Sequence, residues 1–266
     1  MIRRTATLLY GIVSYLIFFA TFLYAIVFLG NFGVTKSIDS GAEGSLGLAL
    51  VIDTALLALF ALQHSIMARP WFKRAWTRIV PPAAERSTYV LFSSLALILL
   101  FWQWRPIGGL VWDVSNPFGL FAIYAVYALG WALLLIATFL INHFDLFGLR
   151  QVYLNFTGRE YTGLQFRTPG LYRFVRHPIY FSWLCIFWAT PQMSMAHLIF
   201  AVATTAYILI AIPLEEADLI DAHGETYQRY REQVPGILPV RLGKARPQTF
   251  EPTTNEFARA IDILGR

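Results

Sequence analysis

Four stretches of the chain, 8–29, 46–68, 88–104 and 118–141, are apolar almost without interruption, and the polar residues gather between them. Each is long enough to carry a helix across roughly 30 Å of hydrocarbon. A further apolar stretch, 179–213, is too long for one helix and is interrupted at Pro191. It predicts a hairpin of two membrane segments, 179–190 and 196–213, with its tip between them. The first arm is short enough to be tilted or re-entrant. The pattern predicts an all-α fold: a polytopic membrane helical bundle of five to six membrane segments in a single domain, closed by a C-terminal helical hairpin. No repeat is visible, and the one plausible soluble piece is the polar tail from about Gln248, with a short amphipathic helix at 256–264. No small-residue cleavage site follows the first run, which reads as a retained helix and not as a removable signal.

The basic residues decide between five segments and six. Arg3 and Arg4 precede the first run; Arg69, Lys73, Arg74, Arg78 and Arg86 separate the second and third; Arg150, Arg159, Arg167, Arg173 and Arg176 precede the hairpin. Seven more follow it, and the alternate loops hold only Lys36 and Arg105. Nineteen of the 21 therefore share one side only if the hairpin crosses an even number of times. Six segments are favoured, and the excess of positive charge places both termini in the cytoplasm.

Composition agrees with lipid as the solvent: 57% of the residues are hydrophobic, 14% are charged, and the mean hydropathy is +0.54. The net charge of +5 does not point to nucleic acid, because the basic residues lie between apolar runs and form no continuous stripe. Cys185, the sole cysteine, lies in an apolar run, which excludes a disulfide framework or a thiolate metal cluster.

Ionisable groups at membrane depth are costly and usually mark function. Three clusters qualify. The first is Gln63-His64-Ser65 at the end of the second run, where His64 either caps the helix or does chemistry. Asp53, deeper in the same run, is a salt-bridge partner or lies near the opposite interface. The second is Asn142-His143-Phe144-Asp145, where an acid two residues after a histidine would fix its tautomer, as suits a general base. The third joins Arg176-His177-Pro178-Ile179-Tyr180 to Glu215-Glu216 and then to Gly224, Tyr227, Tyr230, Arg231, Val234-Pro235 and Pro239. Pro178 is suited to the first turn of a helix, and the hairpin returns the two glutamates to its level. Paired acids among tyrosine rings suit a cationic ligand.

These last residues, RHPIY and EEADLIDAHGETYQRYREQVPGILP, resemble the C-terminal hallmark of the isoprenylcysteine carboxyl methyltransferase and phospholipid methyltransferase superfamily. That resemblance implies S-adenosyl-L-methionine as cofactor, enclosed by the cytoplasmic region from about 173 to 240. It implies His177, Tyr180 and Glu215 as lining residues, with Arg176, Glu216, Tyr227 and Arg231 as neighbours. The QHSIMARPWFK and NHFDLFGLRQVYLNFTGREY segments are similar to one bacterial branch, the methanethiol S-methyltransferases, with a weaker likeness to NnrU-like proteins at 63–69. This implies that a small volatile thiol, methanethiol, is converted to dimethyl sulfide.

Such a reaction needs an in-line displacement by a thiolate, and an alkyl thiol is mostly protonated at neutral pH. His143 oriented by Asp145 is the first candidate base, and His64 the second. Trp183 and Phe144 are candidate walls of a small apolar pocket. No resident metal is expected, although His64, His143 and Asp145 would make a ligand set if they met. The competing readings are a methyltransferase for a prenylated peptide or a lipid, a sterol-type reductase with a related motif, and a non-enzymatic NnrU-like membrane protein. The oligomeric state stays open.

Overall fold

The computed structural model describes residues 1–41 and 44–239, so the tail expected from Gln248, its helix at 256–264 and the basic residues from Arg241 onward lie outside the described residues. Five helices are long and apolar enough to cross a membrane: α1 (Ile2–Gly30), α2 (Leu46–Ala68), α4 (Pro82–Gln103), α5 (Pro117–Ile141) and α9 (Met195–His223). Between them lie the short helices α3 (Pro70–Trp76), α6 (His143–Leu146), α7 (Leu149–Thr157) and α8 (Pro178–Trp188), and α10 (Glu225–Gln233) follows α9. The protein is a multi-pass membrane helical bundle. Its core is an aromatic cluster that includes Phe28, Phe101, Trp104, Tyr127, Trp131, Phe187 and Phe200, contributed by α1, α4, α5, α8 and α9 and by the residue after α4.

The expected hairpin is formed by α8 and α9. α8 has 11 residues, which at 1.5 Å each rise only about 16 Å, short of the roughly 30 Å of a full crossing. Residues 192–194 form strand β2, which pairs antiparallel with β1 (Leu110–Asp113) in the connection between α4 and α5, with Trp112 opposite Met193. The tip of the hairpin is thereby sewn to the end of the bundle opposite the N-terminus. Both strands are a local stitch in an otherwise helical protein.

Two boundaries differ from the expected ones. α4 begins at Pro82, about two turns before the apolar run, because Pro81 and Pro82 set the first turn and its polar residues reach beyond the membrane. α9 does not stop at Pro213 but continues to His223. Proline removes one intrahelical donor without ending the helix here, and Arg69 from α2 donates to the neighbouring Leu214 carbonyl at 3.2 Å. The continuation carries Glu215 and Glu216.

Two glycines set how closely elements approach. A Cβ on Gly130 of α5 would lie 2.8 Å from Ile186 and 3.2 Å from the Ser182 carbonyl, so α8 lies tight against α5. Gly148, at φ 86°, turns the chain from α6 into α7 directly against Ser87 of α4. Asp53 is fully buried near the far end of the bundle, where its carboxylate accepts from the Arg105 amide at 2.9 Å and not from a cationic side chain. Lys36 beside it donates to the Trp104 carbonyl at 2.7 Å.

Candidate active site

The start of α8 is tied to the chain after α10. The Arg176 and His177 amides donate to the carbonyls of Pro235 and Gly236 at 2.9 and 3.0 Å, and Pro178 then opens the helix. The proline-containing segment 234–239 thus fits against the RHP segment as a short extended pairing. The Arg176 guanidinium donates through Nε to Glu216 at 2.8 Å and through Nη1 to the Arg231 and Val234 carbonyls. His177 Nε2 meets the same Glu216 oxygen at 2.9 Å. Arg231 approaches its other oxygen at 3.9 Å.

The two adjacent glutamates are therefore not equivalent. Glu216, with its side chain 9% exposed, takes the bonds of Arg176 and His177 on one oxygen and has Arg231 near the other, and it holds three parts of the chain together. Glu215, with its side chain 43% exposed, accepts one bond from the Tyr180 hydroxyl at 2.7 Å and keeps an oxygen turned outward. Tyr227 is 2% exposed and packs edge-on against Phe166 and Tyr230, so its ring is not an open face for a cation. Burial pushes its phenol pKa well up, and its hydroxyl reaches no hydrogen-bond partner among the described residues. Tyr230 donates to the Tyr172 carbonyl at 2.6 Å. Arg231 remains half exposed at the rim.

Across from Glu215 stand α2 and α4. His64 Nε2 lies 2.8 Å from the Tyr89 hydroxyl and Nδ1 lies 3.3 Å from the Ser93 hydroxyl, with Phe60 stacked on the imidazole. Ser65 meets Tyr207 of α9 at 3.0 Å, and Arg69 pairs with Asp218 at 2.7 Å, so α2 is clasped to α9 one helical turn beyond the glutamates. The Glu215 carboxylate lies within electrostatic reach of Tyr89, Tyr172, Tyr180 and Tyr207. His64, Tyr89, Tyr180, Tyr207 and Glu215 thus lie near one another at the end of the bundle that carries the RHP segment. Trp183 is edge-on to Trp131 at 5.5 Å and stacked on Phe187 at 5.3 Å.

His143 is placed differently from expectation. The Thr138 hydroxyl donates to the Leu135 carbonyl, so at 3.0 Å it accepts from His143 Nδ1–H. That leaves Nε2 to accept from the Tyr15 hydroxyl at 2.9 Å. Asp145 does not orient the ring. It binds Arg150 at 2.7 Å and accepts from Tyr161 at 3.3 Å. The reason is periodicity: Asn142, at φ 92°, ends α5 and opens the single turn α6, and residues two apart on a helix point to nearly opposite sides. His143 is buried among Phe139, Phe147 and Tyr15, and burial lowers its pKa. Phe144 is 51% exposed and edge-on to that ring, on the outside of the cluster, so it walls no enclosed pocket.

Among the described residues no three His, Cys, Asp or Glu side chains come together as a metal site, so His64, His143 and Asp145 do not form a ligand set. Sequence reasoning missed Tyr89, Tyr207 and Tyr15. The signal for Tyr89 was present, since Tyr89 and Ser93 stand four apart in an apolar run and share a helix face with each other. Tyr207 and Tyr15 lie singly among apolar residues and read as ordinary interface aromatics.

A family model described as DUF1295, protein of unknown function, matches residues 76–234. A methanethiol S-methyltransferase from Crocosphaera subtropica is 57% identical over 243 residues, covering 91% of this chain and 95% of that protein. One from Mycobacterium tuberculosis is 51% identical, covering 89% of this chain and 97% of its own. Methanethiol S-methyltransferase 2 of Bradyrhizobium diazoefficiens is 52% identical, covering 92% and 95%. No solved structure matches the chain. Identity of this degree along nearly the whole of both chains means that the protein belongs to the methanethiol S-methyltransferase family.

Proposed function

We propose that the protein methylates methanethiol to dimethyl sulfide with S-adenosyl-L-methionine as methyl donor, at the cytoplasmic face of a bacterial inner membrane. The observation that carries this reading is the split between the glutamates: Glu216 is buried among Arg176, His177 and Arg231, while the more exposed Glu215 is hydrogen-bonded only by Tyr180. An ammonium group suits that carboxylate. The half-exposed Arg231 at the rim suits a carboxylate. An amino acid end therefore fits these residues. The face follows from the charge distribution, since the N-terminus, the α2–α4 connection and the 142–177 segment carry most of the basic residues.

When bound, S-adenosyl-L-methionine supplies an electrophilic methyl group, whose carbon bonds to the thiolate sulfur as the old C–S pair leaves with the donor sulfur. The protein's own part is to hold the reactants in line and to take the thiol proton. Both histidines have both ring nitrogens hydrogen-bonded, but His64 is bonded to Tyr89, which lies within electrostatic reach of Glu215, while His143 is bonded to Tyr15 and Thr138. We therefore assign the base to His64. His143 is left to position α5 against α1 through Tyr15, and Trp183 to floor the small apolar pocket.

The reading is tested by headspace analysis of detergent-purified protein given the methyl donor and methanethiol, with hydrogen sulfide and a prenylcysteine in parallel. Dimethyl sulfide formed only with the donor is the expected result; product from the prenylcysteine alone overturns the substrate, and no product from any of the three overturns the activity. His64→Gln is expected to lower kcat by about 100-fold or more with cofactor affinity kept, the size of a general-base contribution. His143→Gln is expected to lower the melting temperature more than kcat. The reverse pattern moves the base to His143.

A further inference from the structure

Arg86 lies in the first turns of α4, between the two histidine clusters. Its Nε donates to the Leu146 carbonyl of α6 at 2.7 Å, and its guanidinium carbon lies 4.9 Å from the centre of the Tyr89 ring. One contact comes from the segment beside His143 and the other from the tyrosine bonded to His64. Neither is an acid. At the same end of the bundle Arg69 pairs with Asp218, Arg150 with Asp145 and Arg176 with Glu216, yet among the described residues no carboxylate pairs with Arg86. Its terminal NH2 groups also have no hydrogen-bond acceptor among the described residues. A half-buried cation without a counter-ion is costly to keep. It is retained to advantage where an anion is produced beside it.

We infer that the Arg86 guanidinium is the counter-charge for the substrate thiolate. The inference rests on the small-thiol methyltransferase reading above and supplies what that reading lacks. A neutral imidazole alone is a weak base for an alkyl thiol. In the proposed step the S–H bond breaks, the electron pair stays on sulfur and the proton passes to the His64 imidazole. Arg86 then holds the negative sulfur until the pair forms the new S–C bond. The charged and titratable groups around this place are His64 and Arg69 from the α2 side, Lys73 from α3, Glu85 and Tyr89 from α4, Tyr180 from α8, and Tyr207, Glu215 and Asp218 from α9. Glu215 and Asp218 act against a thiolate, but Asp218 is neutralised by Arg69 and Glu215 is the group assigned to the donor's ammonium. Arg86 and Lys73 are left without a carboxylate partner among the described residues, and of the two it is Arg86 that lies over the ring of Tyr89, the residue bonded to His64.

The test uses the full chain in detergent with methanethiol. In the absence of methyl donor, bound thiol is titrated by its thiolate ultraviolet absorbance in wild type, Arg86→Gln and Arg86→Lys. An opposite charge within bonding reach shifts a titration by about 1–3 pH units, so Arg86→Gln is expected to move the bound thiol upward by at least about one unit. With donor present, the same variant is expected to lose about 10-fold or more in kcat/KM at pH 7, and the loss is expected to shrink steadily as the pH is raised and the free thiol begins to ionise. Arg86→Lys is expected to keep most of the activity throughout, which separates the charge from the Leu146 contact. A loss in Arg86→Gln that does not change with pH, with an unmoved thiol titration, overturns the assignment to Arg86 alone. A wild type that neither ionises the bound thiol nor forms dimethyl sulfide overturns the small-thiol reading and this assignment with it.

Discussion

Glu216→Ala is expected to destabilise the protein by about 3–5 kcal/mol, the range for removing one partner of a buried ion pair. The alanine leaves the Arg176 Nε and the buried His177 Nε2 without their shared acceptor. It also loosens the joint at which the start of α8, the end of α9 and the chain after α10 meet, since Arg176 is the residue that links them through the Arg231 and Val234 carbonyls. The measurement is thermal unfolding in detergent followed by tryptophan fluorescence. Adding Arg176→Met to Glu216→Ala is expected to recover part of the loss, because the orphaned guanidinium is then gone. If Glu216→Ala melts with wild type, the buried network is not what holds the hairpin mouth together.

Glu215→Ala, one residue away, is expected to do the opposite. Its side chain is largely exposed and makes one bond to Tyr180, so the melting temperature should stay within a few degrees of wild type. Affinity for S-adenosylhomocysteine, measured by calorimetry, should fall by about 10- to 100-fold, the equivalent of a charge-assisted hydrogen bond of about 1.5–3 kcal/mol. Tyr180→Phe should show a smaller loss in the same direction, because it frees the carboxylate without removing it. The contrast between adjacent positions is the sharper test. Equal effects at Glu215 and Glu216 would mean that the two act as one structural pair and that the ammonium of the donor binds elsewhere.

Much of this was legible along the chain. The apolar runs located α1, α2, α4 and α5 because a membrane imposes length and polarity on any helix that crosses it. The break at Pro191 located the hairpin, which α8 and α9 form with the β1–β2 pairing at its tip. The motif residues Arg176, His177, Tyr180, Glu215 and Glu216 do meet, because an antiparallel hairpin returns the chain to its starting level. What was misread was short-range geometry. His143 and Asp145 looked like a pair because they are two apart, but the left-handed residue Asn142 places them on a helical turn that points them apart.

What the sequence by itself determined is the membrane character, the long apolar helices and the set of polar residues held at one end, because these depend on solvent and charge, which act along the whole chain. The tertiary structure decided which of those residues share a contact: that Arg176 and His177 bond Glu216 while Tyr180 bonds Glu215, that His64 and not His143 is bonded to Tyr89, and that Arg86 stands without an acid. Such choices turn on angles about a helix axis and on which helices touch, and hydrophobic pattern is blind to both.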